Sequence, residues 1–440
     1  MTTTIVRSYS WGKLPLVEQQ VIDMYWRDQG LPDTPYSLLP WGLGRSYGDS
    51  CVNDGNAVLS TRHMNRLISF DGESGRLHCE AGVSLADILT FAVPQGWFLT
   101  VTPGTKFVTV GGAIANDVHG KNHESAGNFG HHVRRLELLR SEEGLKHCSP
   151  EENRELFHAT IGGLGLTGLI LSAEIQLKPI SNQFIASETI RFDSLDEFRA
   201  LSRDSTANYE YTVAWFDCLS AARKLRGLFT RGNHADSRFD HLNKPPPRKL
   251  MVPFDFPEVV LNPVTIKVFN GLYFHKQRSR RVMKVCHYDR FFYPLDAIQT
   301  WNRIYGKRGF YQYQCVVPTD DYAVAEELLS VISASGAGSF LAVLKEFGNI
   351  PSLGMLSFPR PGVTMALDFP NKCAATRTLL DRLDEVVMAV GGAVYPAKDA
   401  RLSGAAFKAY YPRWQEFAAF IDPKFSSSFW RRVSAEISER

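Results

Sequence analysis

The chain has 440 residues, of which 44% are hydrophobic and 22% charged, and its formal net charge at pH 7 is +3. These proportions are typical of a globular protein and exclude a disordered or fibrous chain, and the weak charge gives no indication of nucleic-acid binding. Because one hydrophobic core stops growing near about 250 to 300 residues, the length predicts two domains.

Cysteine usage and the distribution of apolar residues predict the compartment. The seven cysteines are scattered and form no CxxC pair, which argues against a disulfide framework and a zinc ribbon. The N-terminal stretch lacks an apolar segment of signal-peptide length, and no run approaches the about 20 apolar residues of a membrane span. We expect a cytoplasmic protein whose contact with the inner membrane, if it makes one, is peripheral.

The first elements follow from hydrophobic spacing. Residues 16–28 have helical spacing and predict a helix. Short runs bounded by Gly, Asp or Pro then predict strands at YSLLPWG, NAVLS, LISFD and RLHCEAG. Residues 84–96 predict a helix with Ser84 as N-cap, ended by Pro94 and Gly96.

Further along, ENRELFHAT predicts a helix and LILSAEIQLKPI a strand. From about residue 183, strands and helices alternate in one α+β layer system. The proline-rich stretch 233–281, with scattered basic residues, predicts a mobile excursion on the surface. Contact of this stretch with a membrane and a solvated loop remain alternative interpretations. The chain end, from YPAKDAR onward, is predicted to be helical and polar.

Two motifs match known patterns only formally. GLGLTG at 163–168 fits GxGxxG, but a helix precedes it and a strand follows, which is the reverse of a dinucleotide-binding fingerprint. HGKNH places His119 and His123 four residues apart, yet the surrounding glycines disfavour a helix, and only His131 and His132 offer further ligands. We expect no metal site, and loop histidines bonded to the backbone are the simpler interpretation.

Two glycine-rich stretches carry more information, WGLGRSYGDS at 41–50 and TPGTKFVTVGGAIANDVHG at 102–120. Glycine lets backbone N–H groups converge on an anion, so such loops bind a diphosphate without a helix dipole or a lysine. Small residues such as Ala113 and Ala115 leave room for a flat cofactor. Either stretch alone would indicate a tight turn, whereas the pair favours a cofactor site.

These motifs also carry a family resemblance. GLGRSYGD, PGTKFVTVGGAIANDVHGKNHESAGNFGHHV and GGLGLTG resemble the FAD-binding domain of vanillyl-alcohol-oxidase-type flavoproteins. More narrowly, they are similar to the oxidase component of decaprenylphosphoryl-β-D-ribose 2′-epimerase. The similarity continues through YTVAWFD, FYPLDAIQTWNRIYG, FYQYQ, VLKEFG, LSFPRPG, LDFP and YPAKDAR, so it covers nearly the whole chain.

The resemblance implies a fold and a cofactor. The expected fold is α+β, a two-domain PCMH-type FAD-binding fold with an inserted α+β substrate domain. Residues 1–182 with 394–440 would bind FAD, and residues 183–393 would cover the flavin as the substrate domain. The cofactor contacts that the resemblance implies are Trp41, Gly42, Leu43, Gly44, Arg45, Ser46, Tyr47, Gly48, Gly104, Thr109, Val110, Gly111, Gly112, Asn116, Asp117, His119, Gly168, Ile170 and Tyr395.

The family oxidises the 2′-hydroxyl of a polyprenyl-phosphoryl ribose. Hydride leaves easily only if the hydroxyl proton is also accepted or the developing alkoxide is stabilised. Lys398 matches the family's essential lysine, with Tyr395 and His119 as further catalytic residues beside the flavin. The substrate contacts that the resemblance implies are Tyr47, His119, Trp215, Gln312, Gln314, Lys345, Thr364 and Lys398.

The chain departs from its relatives at identifiable positions. Mycobacterial members have a cysteine where this chain has Ala366 and an asparagine where it has Thr364, so sensitivity to thiol-directed inhibitors should be lost while the catalytic role survives. Related oxidases attach FAD through a histidine in a GxxHS loop, and Arg45 occupies that position here. Noncovalent FAD is therefore expected.

Partners also follow from the resemblance: a polyprenyl-phosphoryl sugar lipid as substrate, an NADH-dependent keto-reductase that consumes the product, and a membrane surface that supplies the lipid. Two alternatives stay open. One is an alditol or sugar-lactone oxidase of the same fold, against which GRSYG and YPAKDAR argue. The other is a non-catalytic flavin-binding scaffold for the reductase.

Overall fold

The computed structural model describes residues 3–220, 225–239, 242, 250–318 and 322–435. The strands are β1 (Thr3–Tyr9), β2 (Leu16–Asp23), β3 (Leu38–Trp41), β4 (Ala57–Ser60), β5 (Leu67–Asp71), β6 (Arg76–Glu80), β7 (Trp97–Leu99), β8 (Val133–Arg140), β9 (Gly144–Cys148), β10 (Leu169–Pro179), β11 (Phe184–Phe192), β12 (Tyr211–Phe216), β13 (Gly227–His234), β14 (Leu250–Met251), β15 (Arg281–His287), β16 (Ile298–Gln299), β17 (Phe310–Val317), β18 (Ala342–Phe347), β19 (Gly362–Pro370) and β20 (Ala393–Val394). The helices are α1 (Leu85–Ala92), α2 (Val110–Ala115), α3 (His123–Ala126), α4 (Arg154–Thr160), α5 (Leu195–Ser205), α6 (Pro263–His275), α7 (Tyr288–Phe292), α8 (Tyr322–Ser335), α9 (Ala374–Ala389), α10 (Gly404–Tyr410), α11 (Trp414–Ala418) and α12 (Ser428–Ala435).

The first part of the chain forms two sheets. One has the order β1-β2-β4-β3, and the other has the order β5-β6-β10-β8-β9, with β7 also paired to β10. Helix α1 packs its Leu85, Ile88 and Leu89 into the core of the second sheet. Both glycine-rich stretches follow strands or turns of these two sheets.

An eight-stranded sheet with the order β15-β11-β13-β12-β18-β19-β17-β20 dominates the middle of the chain. Opposed residues on neighbouring antiparallel strands project from the same face. Gln314 opposes Ala366 and Lys345 opposes Thr364, so polar and small residues share one face. The other face, which includes Tyr313, lies in a hydrophobic cluster with residues of α5, α8 and α9. One face therefore stabilises the fold, and the other is available for a site.

The C-terminal segment returns to the first sheets. The amide of Leu38 donates to Lys424 O at 2.8 Å, and the amide of Ser426 donates to Leu38 O at 2.9 Å. Phe425 is buried in the small core to which β2, β3, β4 and β10 contribute. These contacts support the division into 1–182 with 394–440 and 183–393, which remains a proposal.

Most predicted elements are present. Ser84 caps α1 in a capping box with Asp87, and Gly96 follows in a left-handed conformation, as the sequence indicates. The predicted strands of the first part, helix α4 and strand β10 are also confirmed. The seven cysteines are all free.

Three expectations differ from the structure. The helix predicted at 16–28 is wrong, because β2 pairs with β1 and β4, and its first residues alternate between exposed and buried. The chain end is helical, but α10 buries Phe407 and Tyr410 and is not polar. Within 233–281, helix α6 was not predicted, residues 240–241 and 243–249 lie outside the described residues, and mobility stays a prediction.

Within the described ranges, no helix is both long and apolar enough to cross a bilayer.

Candidate active site

The first glycine-rich loop, 41–48, presents unused backbone donors. Among the described residues, no acceptor lies within hydrogen-bonding distance of the amides of Gly42, Leu43, Gly44, Arg45 or Ser46. Consecutive free amides in a turn form a concave site for an anion. The loop therefore offers the donors that a cofactor diphosphate requires.

The second stretch is not a continuous loop, because residues Val110–Ala115 form helix α2. Glycine is tolerated there since the Thr109 side chain caps the helix, accepting from Gly112 N at 3.1 Å. The amides of Val110 and Gly111 already donate to Val83 O and Ala81 O. A Cβ at Gly112 would meet Thr109 Oγ1 at 3.1 Å and nothing else within 4 Å, and one at Gly104 would meet nothing within 4 Å. Gly104 therefore borders open space beside this stretch, which leaves room for a cofactor.

Three motifs distant in sequence meet at the first loop. A Cβ at Gly42 would collide with the side chain of Thr109, so the two glycine-rich stretches touch. The amide of Tyr47 donates to Ala397 O at 2.8 Å. A Cβ at Gly48 would collide with the carbonyl oxygen of Asp399. Only glycine permits this approach, which brings the YPAKDAR segment against the loop.

Arg432 of α12 fixes the same junction from the chain end. Its guanidinium makes two hydrogen bonds of 2.7 Å to Asp49 and one of 2.8 Å to Asp399. Both carboxylates are buried, and such pairs are held by geometry as much as by charge. Arg432 therefore positions the first loop relative to the segment that carries Lys398.

Lys398 is a partly buried lysine at this junction. Its Nζ lies 3.8 Å from the centroid of the Tyr47 ring, and its amide donates to Tyr395 O at 2.9 Å. Burial lowers the pKa of Lys398 to about 7, and the charge of Asp368 acts in the opposite direction. A lysine in this state exchanges protons readily at neutral pH.

Asp368 is fully buried and faces the same site. It accepts from Gln312 Nε2 at 2.6 Å and from the hydroxyl of Tyr305 at 3.3 Å. Burial raises the pKa of Asp368 to about 7, while Gln312 and Lys398 lower it. The sequence reasoning missed Asp368, although it ends the same alternating face of β19 as Thr364 and Ala366.

His119 joins the second stretch to the polar sheet face. Its Nε2 lies 2.9 Å from Gln314 Nε2, and its Nδ1 lies 3.1 Å from Lys345 Nζ. Burial and the charge of Lys345 lower the pKa of His119 well below 6.5, so the ring is neutral and has one N–H. With Lys345 donating to Nδ1, that proton is on Nε2, and the Gln314 amide must then present its oxygen.

Lys345 also donates to Gly120 O at 3.1 Å. Burial and the charges of Lys121 and Lys398 lower the pKa of Lys345 to about 7. Burial likewise lowers the pKa of Lys121 to about 8. Lys121, which the sequence analysis did not select, thus belongs to a cluster of three desolvated lysines. Its position two residues after His119 was the available signal.

Tyr395 closes the site behind His119. Its hydroxyl donates to Asn116 O at 2.7 Å, its ring stacks on Phe358 at 4.7 Å, and the His119 ring lies 5.8 Å away. Burial raises the pKa of Tyr395 well above 10. Tyr395 therefore presents a neutral ring and hydroxyl to the site, and its predicted catalytic role stays a prediction.

The other predicted substrate residues lie on the polar sheet face. Gln314 is buried and lies 3.4 Å from the Thr364 hydroxyl. Trp215 on β12 opposes Val343 and donates to Phe340 O at 3.0 Å. Contacts of these residues with a ligand remain a proposal.

Some predicted cofactor residues have side chains that already contact other residues of the protein. The Asp117 carboxylate accepts from Gly130 N, Asn128 and Ser357, and is fully buried. Val110 and Ile170 are buried in the second-sheet core. A contact of Asp117 with FAD would have to come from its backbone.

A metal is not indicated at HGKNH. Across the part of the chain that the structure describes, no group of three or more His, Cys, Asp or Glu side chains could hold an ion. Both His119 nitrogens already have protein neighbours. His123 instead packs on Phe347, with ring centroids 4.5 Å apart.

Comparisons with known proteins agree with this geometry. Residues 32–149 match the FAD binding domain family. The chain is 41% identical over 407 residues to decaprenylphosphoryl-beta-D-ribose oxidase of Mycolicibacterium smegmatis, covering 89% of this chain and 88% of that protein. It is 31% identical to an uncharacterized protein in the mprA 5′ region of Streptomyces coelicolor, over 80% of this chain and all of that protein. L-gulonolactone oxidase of Bos taurus is 31% identical over 47% of this chain and 43% of its own length.

The fold and the site therefore define a flavoprotein oxidoreductase with a PCMH-type FAD-binding domain. The chain belongs to the decaprenylphosphoryl-β-D-ribose oxidase family. FAD fits the free amides of 42–46 and the open space beside Gly104.

Proposed function

We propose that the chain oxidises the 2′-hydroxyl of a polyprenyl-phosphoryl-β-D-ribose to the 2′-keto sugar, the first half of epimerisation to the arabinose lipid. The observation that carries the proposal is Lys398, which lies on Tyr47 where the glycine-rich loop meets the polar sheet face. When bound, FAD supplies the hydride acceptor.

Lys398 is the residue that handles the hydroxyl proton. With a pKa of about 7, its neutral form accepts the proton at physiological pH. Asp368 and Tyr47 position the Lys398 amine. The charge of Asp368 acts on the amine, and the ring of Tyr47 lies against it. Neither of them needs to contact the sugar for this role.

His119, Gln314 and Lys345 would hold the sugar from the other side. Their mutual hydrogen bonds fix the orientation of each group before substrate arrives. Such preorganised donors stabilise the oxygen on which negative charge develops. Gln312, Thr364 and Trp215 would complete the pocket wall.

The lysine cluster also favours an anionic substrate over a neutral one. Lys121, Lys345 and Lys398 are desolvated together, and Asp368 is the carboxylate that acts on Lys398. A phosphoryl group would relieve their mutual repulsion. An alditol or a sugar lactone carries no charge, so the soluble sugar-oxidase alternative leaves this cluster unexplained.

Two partners belong to the proposal. The keto product needs a hydride donor to become the arabinose epimer, which requires a separate NADH-dependent keto-reductase. The lipid substrate must also be taken from a membrane surface, so we expect peripheral association of this cytoplasmic chain with the inner membrane.

Anaerobic mixing tests the reaction directly. A short-chain polyprenyl-phosphoryl ribose should bleach the visible flavin band, whereas alditols and sugar lactones should not. Lys398→Ala should abolish bleaching, and Lys408→Ala, which changes a lysine of α10 that lies over Trp414, should not. Bleaching by polyols would make the chain a soluble sugar oxidase. Flavin that no substrate bleaches would favour the non-catalytic scaffold.

A further inference from the structure

Helix α6 and the segment before it expose an unusual amount of apolar surface. Seven large apolar residues between positions 250 and 272 are each between 56% and 75% exposed. We call them the apolar strip: Leu250, Met251, Phe254, Val259, Val264, Val268 and Leu272. Single exposed apolar residues are normal, but a concentration of this kind marks an interaction surface.

Helix α6 has apolar residues on two opposite faces. Ile266, Asn270 and Phe274 recur every four residues and are buried, and Asn270 donates to Asp217 at 2.9 Å. Val264, Val268 and Leu272 recur with the same spacing on the opposite, exposed side. The outer face of a surface helix is normally polar, so a row of large apolar side chains there is unusual. The outer face of α6 therefore has the composition of a surface that another component covers.

Helix α6 is stabilised by contacts of its own end and its inner face. Asn262 caps the helix in a capping box with Thr265, and Pro263 occupies the first turn, where a missing N–H costs nothing. Asp217 and Arg226 hold the inner face, since both bond within the cluster that contacts Asn270. The exposed face is thus a stable, preformed surface.

Free cations lie on α6 and in the residues that follow it in the chain. Lys267, Lys276, Arg278 and Lys284 are exposed, and none has an ion-pair partner within the described residues. The acidic residues of this segment are already paired, Asp255 with Lys13 and Glu258 with Arg308. Apolar side chains flanked by free lysine and arginine fit the boundary of an anionic bilayer, where both parts contribute to binding.

Ring contacts connect α6 to the candidate active site. Trp215 contacts Tyr273 of α6, with ring centroids 4.7 Å apart. Successive ring contacts lead inward from Phe269 to Phe340 (5.6 Å), Tyr305 (5.6 Å), Phe310 (4.1 Å) and Tyr47 (5.6 Å). Lys398 lies over the last ring.

We propose that α6 is a membrane-docking helix: the apolar strip enters the headgroup boundary of an anionic bilayer, and docking there guides the lipid substrate to the protein. The docking rests on the surface of α6 alone, and the guidance rests on the proposed lipid substrate. The docking surface is therefore testable without any substrate.

The test compares binding of the FAD-loaded full chain to vesicles of phosphatidylcholine alone and with added phosphatidylglycerol, by co-sedimentation. The wild-type chain should bind the anionic vesicles at least about tenfold more tightly. Val264→Ser with Val268→Ser and Leu272→Ser should reduce that binding by about tenfold or more. Leu145→Ser, at a residue that is 48% exposed on β9, is the matched control and should bind like wild type.

Three results would overturn the docking proposal. These are equal binding by the triple variant and wild type, no preference for anionic vesicles, and self-association through the strip, seen as a dimer that the triple variant loses. Equal thermal melting and an unchanged flavin spectrum establish that the variant is folded.

Substrate assays separate this proposal from the proposed function. Detergent-dissolved short-chain substrate should bleach wild type and the triple variant at equal rates, because docking is bypassed. Substrate embedded in anionic vesicles should bleach the variant at least about tenfold more slowly. Equal rates with the embedded substrate would overturn guidance through α6. Vesicle binding that depends on the strip, with no bleaching by any ribosyl lipid, would leave docking intact and reject the proposed function.

Discussion

Replacing Asp368 with asparagine should change the pH dependence of flavin bleaching. Asp368 is the group whose charge raises the pKa of Lys398, against the larger lowering by burial. Asparagine is nearly isosteric: its oxygen can still accept from Gln312, and its NH2 group takes the place of the second carboxylate oxygen and can donate to the Tyr305 hydroxyl. The substitution therefore removes a charge while preserving the shape of the pocket.

The magnitude follows from the pKa of Lys398. If neutral Lys398 accepts the hydroxyl proton, the rate rises as pH increases through about 7. A base with that pKa is about one-tenth neutral at pH 6 and about nine-tenths neutral at pH 8, a ratio of about ten. Lowering the pKa by one unit, about 1.4 kcal/mol, reduces this ratio to about two. Because Asp368 also has a pKa of about 7, the wild-type profile belongs to the pair.

The assay is single-turnover bleaching between pH 5.5 and 9 with saturating short-chain substrate, so that binding does not contribute. We expect Asp368→Asn to be relatively faster at low pH than wild type. Asp381→Asn, at an exposed carboxylate paired with Arg401, is the control and should keep the wild-type profile. A rate that falls as pH increases through about 7 would refute proton acceptance by Lys398 and favour a cationic role. An unchanged profile in Asp368→Asn would refute the influence of this carboxylate.

Three further changes test the site in different ways. Arg432→Met should lower the free energy of unfolding by about 3 to 5 kcal/mol, measured by urea denaturation, because two buried carboxylates lose their partner. Gly48→Ala should abolish FAD retention on gel filtration, since its Cβ collides with the backbone of Asp399. Lys345→Met should raise the melting temperature of the FAD-free protein at pH 7 while slowing bleaching. Burial depresses the pKa of Lys345 to about 7, so the buried charge of protonated Lys345 destabilises the folded state most strongly below that pH. This destabilisation disappears as pH increases toward 10.5, the ordinary pKa of lysine. Acid denaturation should release FAD into the supernatant, as expected with Arg45 in place of the linking histidine.

Controls for these variants come from the same chain. Arg413→Met removes an exposed pair with Glu416 and should cost less than about 1 kcal/mol. Gly30→Ala, whose Cβ would meet nothing within 4 Å, should retain FAD. Equal losses of unfolding free energy in Arg432→Met and Arg413→Met would contradict the role of Arg432 in pairing two buried carboxylates. FAD retention by Gly48→Ala would contradict the need for glycine where the loop approaches Asp399. A lower melting temperature for Lys345→Met, or flavin colour retained in the acid pellet, would contradict the remaining two predictions.

Local signals predicted the local structure well. Ser84, Asp87 and Gly96 specify α1 because capping and left-handed termination are properties of a few adjacent residues. Strand β2 was misassigned since Leu16, Val21 and Ile22 satisfy a helical period by chance, whereas pairing with β1 and β4 decides the conformation. Secondary structure that depends on distant partners is not determined by its own residues.

The candidate site shows the same difference between residues in local patterns and residues that depend on distant partners. The glycine-rich motifs and Lys398 were recognisable because each lies in a contiguous pattern. Asp368 was not, since a carboxylate near the end of a strand looks ordinary until Gln312 and Tyr305 surround it. Arg432 was equally hidden, because its partner Asp49 lies 383 positions earlier in the chain.

The position of Arg432 has a consequence for synthesis. Asp49 and Asp399 share this guanidinium, so the first glycine-rich loop and the segment with Lys398 are held together by helix α12, whose arginine lies 383 positions after Asp49. A ribosome-bound chain can form the first two sheets early, but its two buried carboxylates remain unpaired until α12 emerges. Flavin capture should therefore follow the synthesis of α12, and a chain terminated before α12 should fail to retain flavin.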